Sequence, residues 1–245
     1  MGIEGPGGRA SDRVRREWLR RVEAEYRSAA LTQHFGLWLI QVAAPPELIH
    51  DALRIVSDEM THAELSHATY VDAGGTTAPH LPRETLALLR SQGPLEQDVL
   101  RHGVEVFCLG ETLAVRLFTR LRSGCIVPSA RSALDRVLVD EVRHRDFGWS
   151  VLDWLLSAPS AGDARRLLAA ELPIMLRRLR DGYVVLNEPA SAPGVLNARP
   201  PFDEADRGWG LMSLGEYAEA VEETFQRDYT PRFTALEIEM PRLQP

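Results

Sequence analysis

Asp58-Glu59-Met60-Thr61-His62 and Asp140-Glu141-Val142-Arg143-His144 are two copies of one short pattern. Each sets a glutamate and a histidine three residues apart, so on an α-helix both side chains leave the same side. A single Glu-x-x-His is common and carries little information. Here each copy is preceded by a further glutamate one helix earlier, Glu25 and Glu111. Together they form a ligand set for two metal ions inside a helix bundle.

The reading depends on whether these polar residues fall on the apolar stripe of each helix. In the first helix the stripe runs Val14, Trp18, Val22, Ala29, Gly36 and Ile40, and Glu25 lies on it, whereas Glu17 and Glu23 do not. In the second, Ala52, Val56, Ala63 and Ser66 enclose Glu59 and His62. Val104, Phe107, Cys108, Val115 and Phe118 frame Glu111 in the third. Leu134, Val137, Leu138, Gly148 and Leu152 frame Glu141 and His144 in the fourth.

Taken singly, a glutamate beside such a stripe is usually solvated at its edge, and a core histidine is usually just hydrogen-bonded. Four carboxylates gathered in one core are different, because they repel and each unpaired buried ion costs several kcal/mol. Multivalent cations offset that cost. Carboxylate oxygens with two imidazoles and no thiolate suit iron or manganese rather than structural zinc. Glu25, Glu59 and His62 are assigned to one ion, and Glu111, Glu141 and His144 to the other, with Glu59 and Glu141 as the expected bridges.

Helical periodicity with intervening turn signals runs along the whole chain, and no strand alternation of any length occurs. Helices are expected over residues 11–43, 46–70, 94–122 and 128–156, with a connection over residues 72–83 crossing the end of the bundle. A fifth helix is expected over 163–186 with a kink at Pro173, and a last one over 213–239, broken at Pro231. Residues 187–210 hold four prolines and three glycines, so a long loop is expected there. This divides the chain into a disordered leader (1–10), a metal-binding bundle (11–156) and a helical extension (157–245) in the same domain.

A net charge of −7 argues against nucleic acid or an anionic membrane as partner. No apolar run reaches the roughly 20 residues that span a bilayer. Cys108 and Cys125 are the two cysteines, neither a disulfide framework nor a Cys-x-x-Cys site, and no secretory h-region opens the chain. A cytoplasmic setting is expected.

The order Glu25, Glu59-x-x-His62, Glu111, Glu141-x-x-His144 resembles the ferritin-like di-iron carboxylate superfamily over residues 11–156, and its oxygen-activating oxygenase and oxidase branch in particular. The resemblance implies an all-α fold, a ferritin-like four-helix bundle with two additional C-terminal helices. It implies two iron ions, with manganese as the alternative, and dioxygen as co-substrate in the oxidation of a small organic molecule. Asp58 and Asp140 resemble the acids that hydrogen-bond ligand histidines in that branch, and Arg143 either joins that network or faces water. Phe107, Cys108, Val115, Phe118 and Leu138 are the expected pocket lining.

No flavin or dinucleotide fingerprint is visible, so electrons are expected from a separate ferredoxin or reductase. An oxygenase of this kind is expected as a monomer or a small oligomer such as a homodimer. The chain departs from several branches. It lacks the Cys-x-x-Cys iron domain of rubrerythrins. Ser66 stands where a ribonucleotide reductase small subunit carries its radical tyrosine, and Val137 where arylamine N-oxygenases carry an extra histidine. A metal-handling protein, storing iron or detoxifying peroxide at manganese, is the alternative reading.

Overall fold

The first helix begins where the sequence supplies a cap: Ser11 Oγ accepts a hydrogen bond from Val14 N (3.2 Å), and α1 runs Asp12–Gln41. The computed structural model describes residues 10–158, 161–184 and 202–241; the expected leader lies outside the described residues except for Ala10. Ala43 adopts a positive φ of 53° in the tight connection after α1. Pro46 then opens α2 (Pro46–Asp72), at a position where a missing N–H is not needed.

The third rod is continuous but not uniform. It consists of α3 (Leu95–His102), a π-helical segment (Gly103–Glu111) and α4 (Thr112–Ser123). α5 (Pro128–Ser157) completes a set of four long rods. After it come α6 (Ala161–Val184), the single turn α7 (Glu204–Arg207), α8 (Leu214–Thr224), a second π-helical turn (Phe225–Tyr229) and α9 (Thr230–Ala235). Among the described residues there is no β-strand, and no helix is long and apolar enough to cross a membrane.

Two apolar clusters fix how the rods run. One gathers Phe35 and Leu39 from α1, Leu48 and Ile55 from α2, Val104 and Phe107 from the third rod, and Val151 and Leu152 from α5. The other gathers Val14 and Trp18, Tyr70, Leu113 and Leu117, and Ala130 and Leu134 from the same four rods. α1 is therefore antiparallel to α2, and α5 is antiparallel both to the third rod and to α2, which it packs against. On every rod the buried Glu and His of the two motifs fall between these clusters, making one polar layer between two apolar ones.

Several expectations are corrected. The connection after α2 does not cross an end but runs the length of the molecule, since Ala73 belongs to one apolar cluster and Leu88 to the other. It is pinned along α1: Glu23 accepts from His80 N (2.8 Å), Arg27 donates to Thr85 (3.3 Å) and His34 Nδ1 accepts from Leu88 N (3.0 Å).

In the third rod the buried residues after Glu111 are Thr112, Leu113, Leu117 and Leu121, while Val115 and Phe118 are half-buried. The π-helical segment adds one residue to the turn and sets the buried leucines after it at Leu113, Leu117 and Leu121. Ile40 is exposed (54%), one residue before the end of α1.

Of the expected loop over 187–210, residues 187–201 lie outside the described residues, and the rest contains α7. α6 runs on through Pro173, the position of the expected kink. Pro231 does not break the last helix; it occupies the first turn of α9, which ends at Ala235 rather than residue 239.

Candidate metal centre

Each long rod delivers one carboxyl group to the polar layer, and α2 and α5 add one imidazole each. All six side chains are buried. Glu25, Glu59, His62 and Glu141 offer ligand atoms within 4.8 Å of one another, and Glu59, Glu111 and His144 do the same. Glu59 belongs to both groups. Its Oε2 lies 3.4 Å from His62 Nδ1 and its Oε1 3.6 Å from His144 Nδ1. Glu141 straddles the imidazoles in the same way, with Oε1 3.8 Å from His62 Nδ1 and Oε2 3.7 Å from His144 Nδ1. Both carboxylates expected as bridges thus face both histidines.

The outer nitrogens of the two rings are engaged crosswise. His62 Nε2, from α2, lies 3.1 Å from Asp140 Oδ2 on α5, and His144 Nε2, from α5, lies 3.4 Å from Asp58 Oδ2 on α2. Antiparallel packing produces this reciprocity, since a two-fold relation between α2 and α5 carries each motif onto the other. Arg143 donates to Asp58 (3.0 Å) and to Asp140 (2.5 Å). A carboxylate held by arginines is an acceptor, so each Nε2 carries the proton and each Nδ1 presents its lone pair to the glutamates.

The inner atoms have no such partners. His62 Nδ1, His144 Nδ1, Glu59 Oε2 and Glu141 Oε2 are buried and lack a hydrogen-bond partner. A group in that condition forfeits its hydration with nothing in return, and native interiors contain few of them. Four such atoms converging on one spot fit a set of donors completed by metal cations.

Electrostatics points the same way. Burial, then the carboxylate of Glu59, raises the pKa of Glu25 well above its ordinary value; burial and Glu141 do so for Glu111, and burial and Glu59 for Glu141. Burial and Glu111 raise Glu59 to about 7. Asp140 goes the other way. Its burial is outweighed by hydrogen bonds from His62, Arg143 and Arg136, which hold it below the usual range. The cluster therefore separates an inner ring of carboxyls that resist ionisation from Asp140, which its hydrogen bonds keep charged.

Of the residues expected to line a pocket, Phe107 and Cys108 are packed inside the first apolar cluster. The Phe107 ring lies 5.0 Å from Phe35 and from Phe147, and Cys108 Sγ donates to Gly148 O (3.2 Å). Phe118 packs on the second cluster, and Val115 and Leu138 are half-buried. Sequence reasoning missed two contributors. Arg136 donates to Asp140 Oδ2 (2.6 Å), and Ser28 donates to Glu59 Oε1 (2.7 Å). Both had a signal, since Arg136 stands four residues before Asp140 and Ser28 three after Glu25.

No family model, curated protein or solved structure matches the chain, and the case for the site rests on its own geometry. Fold and site define a class: an all-helical protein with a buried carboxylate and histidine cluster able to hold metal ions.

Proposed function

We propose that the cluster holds two iron ions, with manganese the alternative, and that the protein is a ferritin-like non-haem di-iron oxidoreductase that uses dioxygen to oxidise a small organic molecule. The observation carrying this reading is the set of four buried, unpartnered inner atoms on Glu59, Glu141, His62 and His144. Glu25 and Glu111 would complete the donors, together with Glu59 and Glu141, each of which faces both imidazoles.

Two ferrous ions at such a site supply electrons to dioxygen, chemistry that no side chain here can perform. The chain's part is to hold and orient. Asp58 and Asp140 fix the tautomer and ring plane of the histidines. Arg136 and Arg143 pair with those aspartates, and Ser28 steadies Glu59. The apolar clusters on either side exclude water from the layer. External electrons come from a separate protein donor in this reading.

Oxygen uptake tests it. Protein loaded anaerobically with ferrous iron and freed of excess metal should consume about one dioxygen per pair of irons when mixed with oxygenated buffer. The Glu141→Ala variant, treated alike, should retain little iron and show no such uptake. Iron-loaded wild-type protein inert to dioxygen would overturn the oxidoreductase reading; uptake scaling without limit as iron is added would favour storage.

A further inference from the structure

A second feature lies outside the cluster. Between the α1–α2 connection, the C-terminal part of α5 and α9 is a cleft of about 490 Å³, walled by Pro45, Leu48, Trp149, Trp154, Arg232 and Leu236. That volume lies within the usual range of small-molecule sites, and the mixture of apolar wall and few polar groups is typical of them.

The wall is held rigidly. Trp149 Nε1 donates to Thr112 Oγ1 (3.0 Å), and the ring of Phe233 packs against the indole at 5.0 Å. Tyr229 donates its hydroxyl to Leu109 O (2.6 Å) and so ties the start of α9 to the third rod. Both walls are built before any ligand arrives, which lowers the cost of binding.

Arg232 supplies the charge. Its guanidinium carbon lies 5.2 Å from the centroid of the Trp149 ring. Among the described residues its nearest carboxylate oxygen is Asp146 Oδ1 at 3.9 Å, and that oxygen already pairs with Arg145 at 2.9 Å. Partial burial, and then the nearby Arg145, draw the Arg232 pKa down, as expected of a cation short of counter-charge. The Arg232 guanidinium thus borders an apolar cleft with, among the described residues, only a long ion pair to Asp146, which Asp146 shares with Arg145. Asp153, exposed on the same lining, adds a negative charge that disfavours ligands carrying more than one of their own.

We propose that this cleft binds a small monocarboxylate with a flat apolar body, the carboxylate paired with Arg232 and the body laid against Trp149 and Trp154. The cleft shares no residue with the carboxylate and histidine cluster. The inference therefore goes beyond the function proposed above and stands or falls apart from it.

Calorimetric titration of the full chain with 3-phenylpropionate is the test, with 3-phenylpropanamide as its neutral counterpart. The expected result is saturable one-site binding of the acid, about tenfold or more weaker for the amide, because the charge-assisted pair is lost. Arg232→Gln should weaken the acid by a similar factor and leave the amide unchanged, with circular dichroism showing that the variant is folded. No saturable binding of the acid, or equal binding of acid and amide by the wild-type chain, would overturn the proposal. The amide comparison needs no variant, so it decides the matter even if Arg232→Gln fails to fold.

Discussion

At Asp140 one side chain shows how the site is held. Burial pushes its pKa up, yet hydrogen bonds from His62, Arg143 and Arg136 leave it ionised, and the ionised form is what fixes His62 with Nδ1 facing inward. Asp140→Asn keeps the shape but removes the charge, and its amide can present a donor to the imidazole. Metal affinity is expected to fall by about 10–100-fold, measured by competition with a chromogenic chelator, while thermal stability stays near that of the wild type; unchanged affinity would contradict the assigned role. Four cluster residues were legible in the sequence because Glu-x-x-His puts both groups on one helical face, and Glu25 and Glu111 because each interrupts an apolar stripe. The crosswise pairing of Asp58 with His144 and Asp140 with His62 was not. It depends on how α2 packs against α5, a relation between segments far apart in the chain.

Helix positions were legible to within a few residues, since Ser11, Pro46 and Pro128 mark starts by simple backbone chemistry. The phase inside the third rod was not, because a steady α-helical period cannot anticipate the π-helical segment that ends at Glu111. α5 also comes close to that segment at Gly148. A Cβ added at Gly148 would lie 2.5 Å from the carbonyl carbon of Phe107 and 2.7 Å from Cys108 N, so only glycine permits the backbone contact. Gly148→Ala should push α5 off the third rod, costing about 1–3 kcal/mol in denaturant unfolding, and should reduce metal retention because His144 lies one turn away. Gly182 in α6 makes the control. A Cβ there meets nothing within 4 Å, so Gly182→Ala should stabilise by about 0.5–1 kcal/mol and leave metal binding alone.

Across the whole molecule, the polar layer sets how stability responds to pH. Glu25, Glu59, Glu111 and Glu141 all have folded pKa values above the ordinary one, Glu59 at about 7. Such groups favour the fold when protonated; their contribution is complete below the unfolded pKa and lost as pH rises through the folded one. Asp98 and Glu216 act oppositely. Burial of Asp98 is outweighed by hydrogen bonds from Ser91 and Arg90, and Arg207 holds Glu216 down at about 2, so their contribution is lost as pH falls. The metal-free protein should therefore melt at progressively lower temperature from about pH 5 to about pH 8, and metal loading should abolish that decline, because cations replace the protons. Calorimetry of both forms checks this; a metal-free protein whose melting temperature rises over the same range would contradict it. The central claim, that these six side chains form a dinuclear metal site, is tested most directly by elemental analysis of protein reconstituted anaerobically with ferrous iron, its oligomeric size measured alongside. The account predicts about two irons per chain in a monomer or small oligomer, falling sharply in Glu111→Ala; no retained metal, or many irons per chain in a large cage, would contradict it.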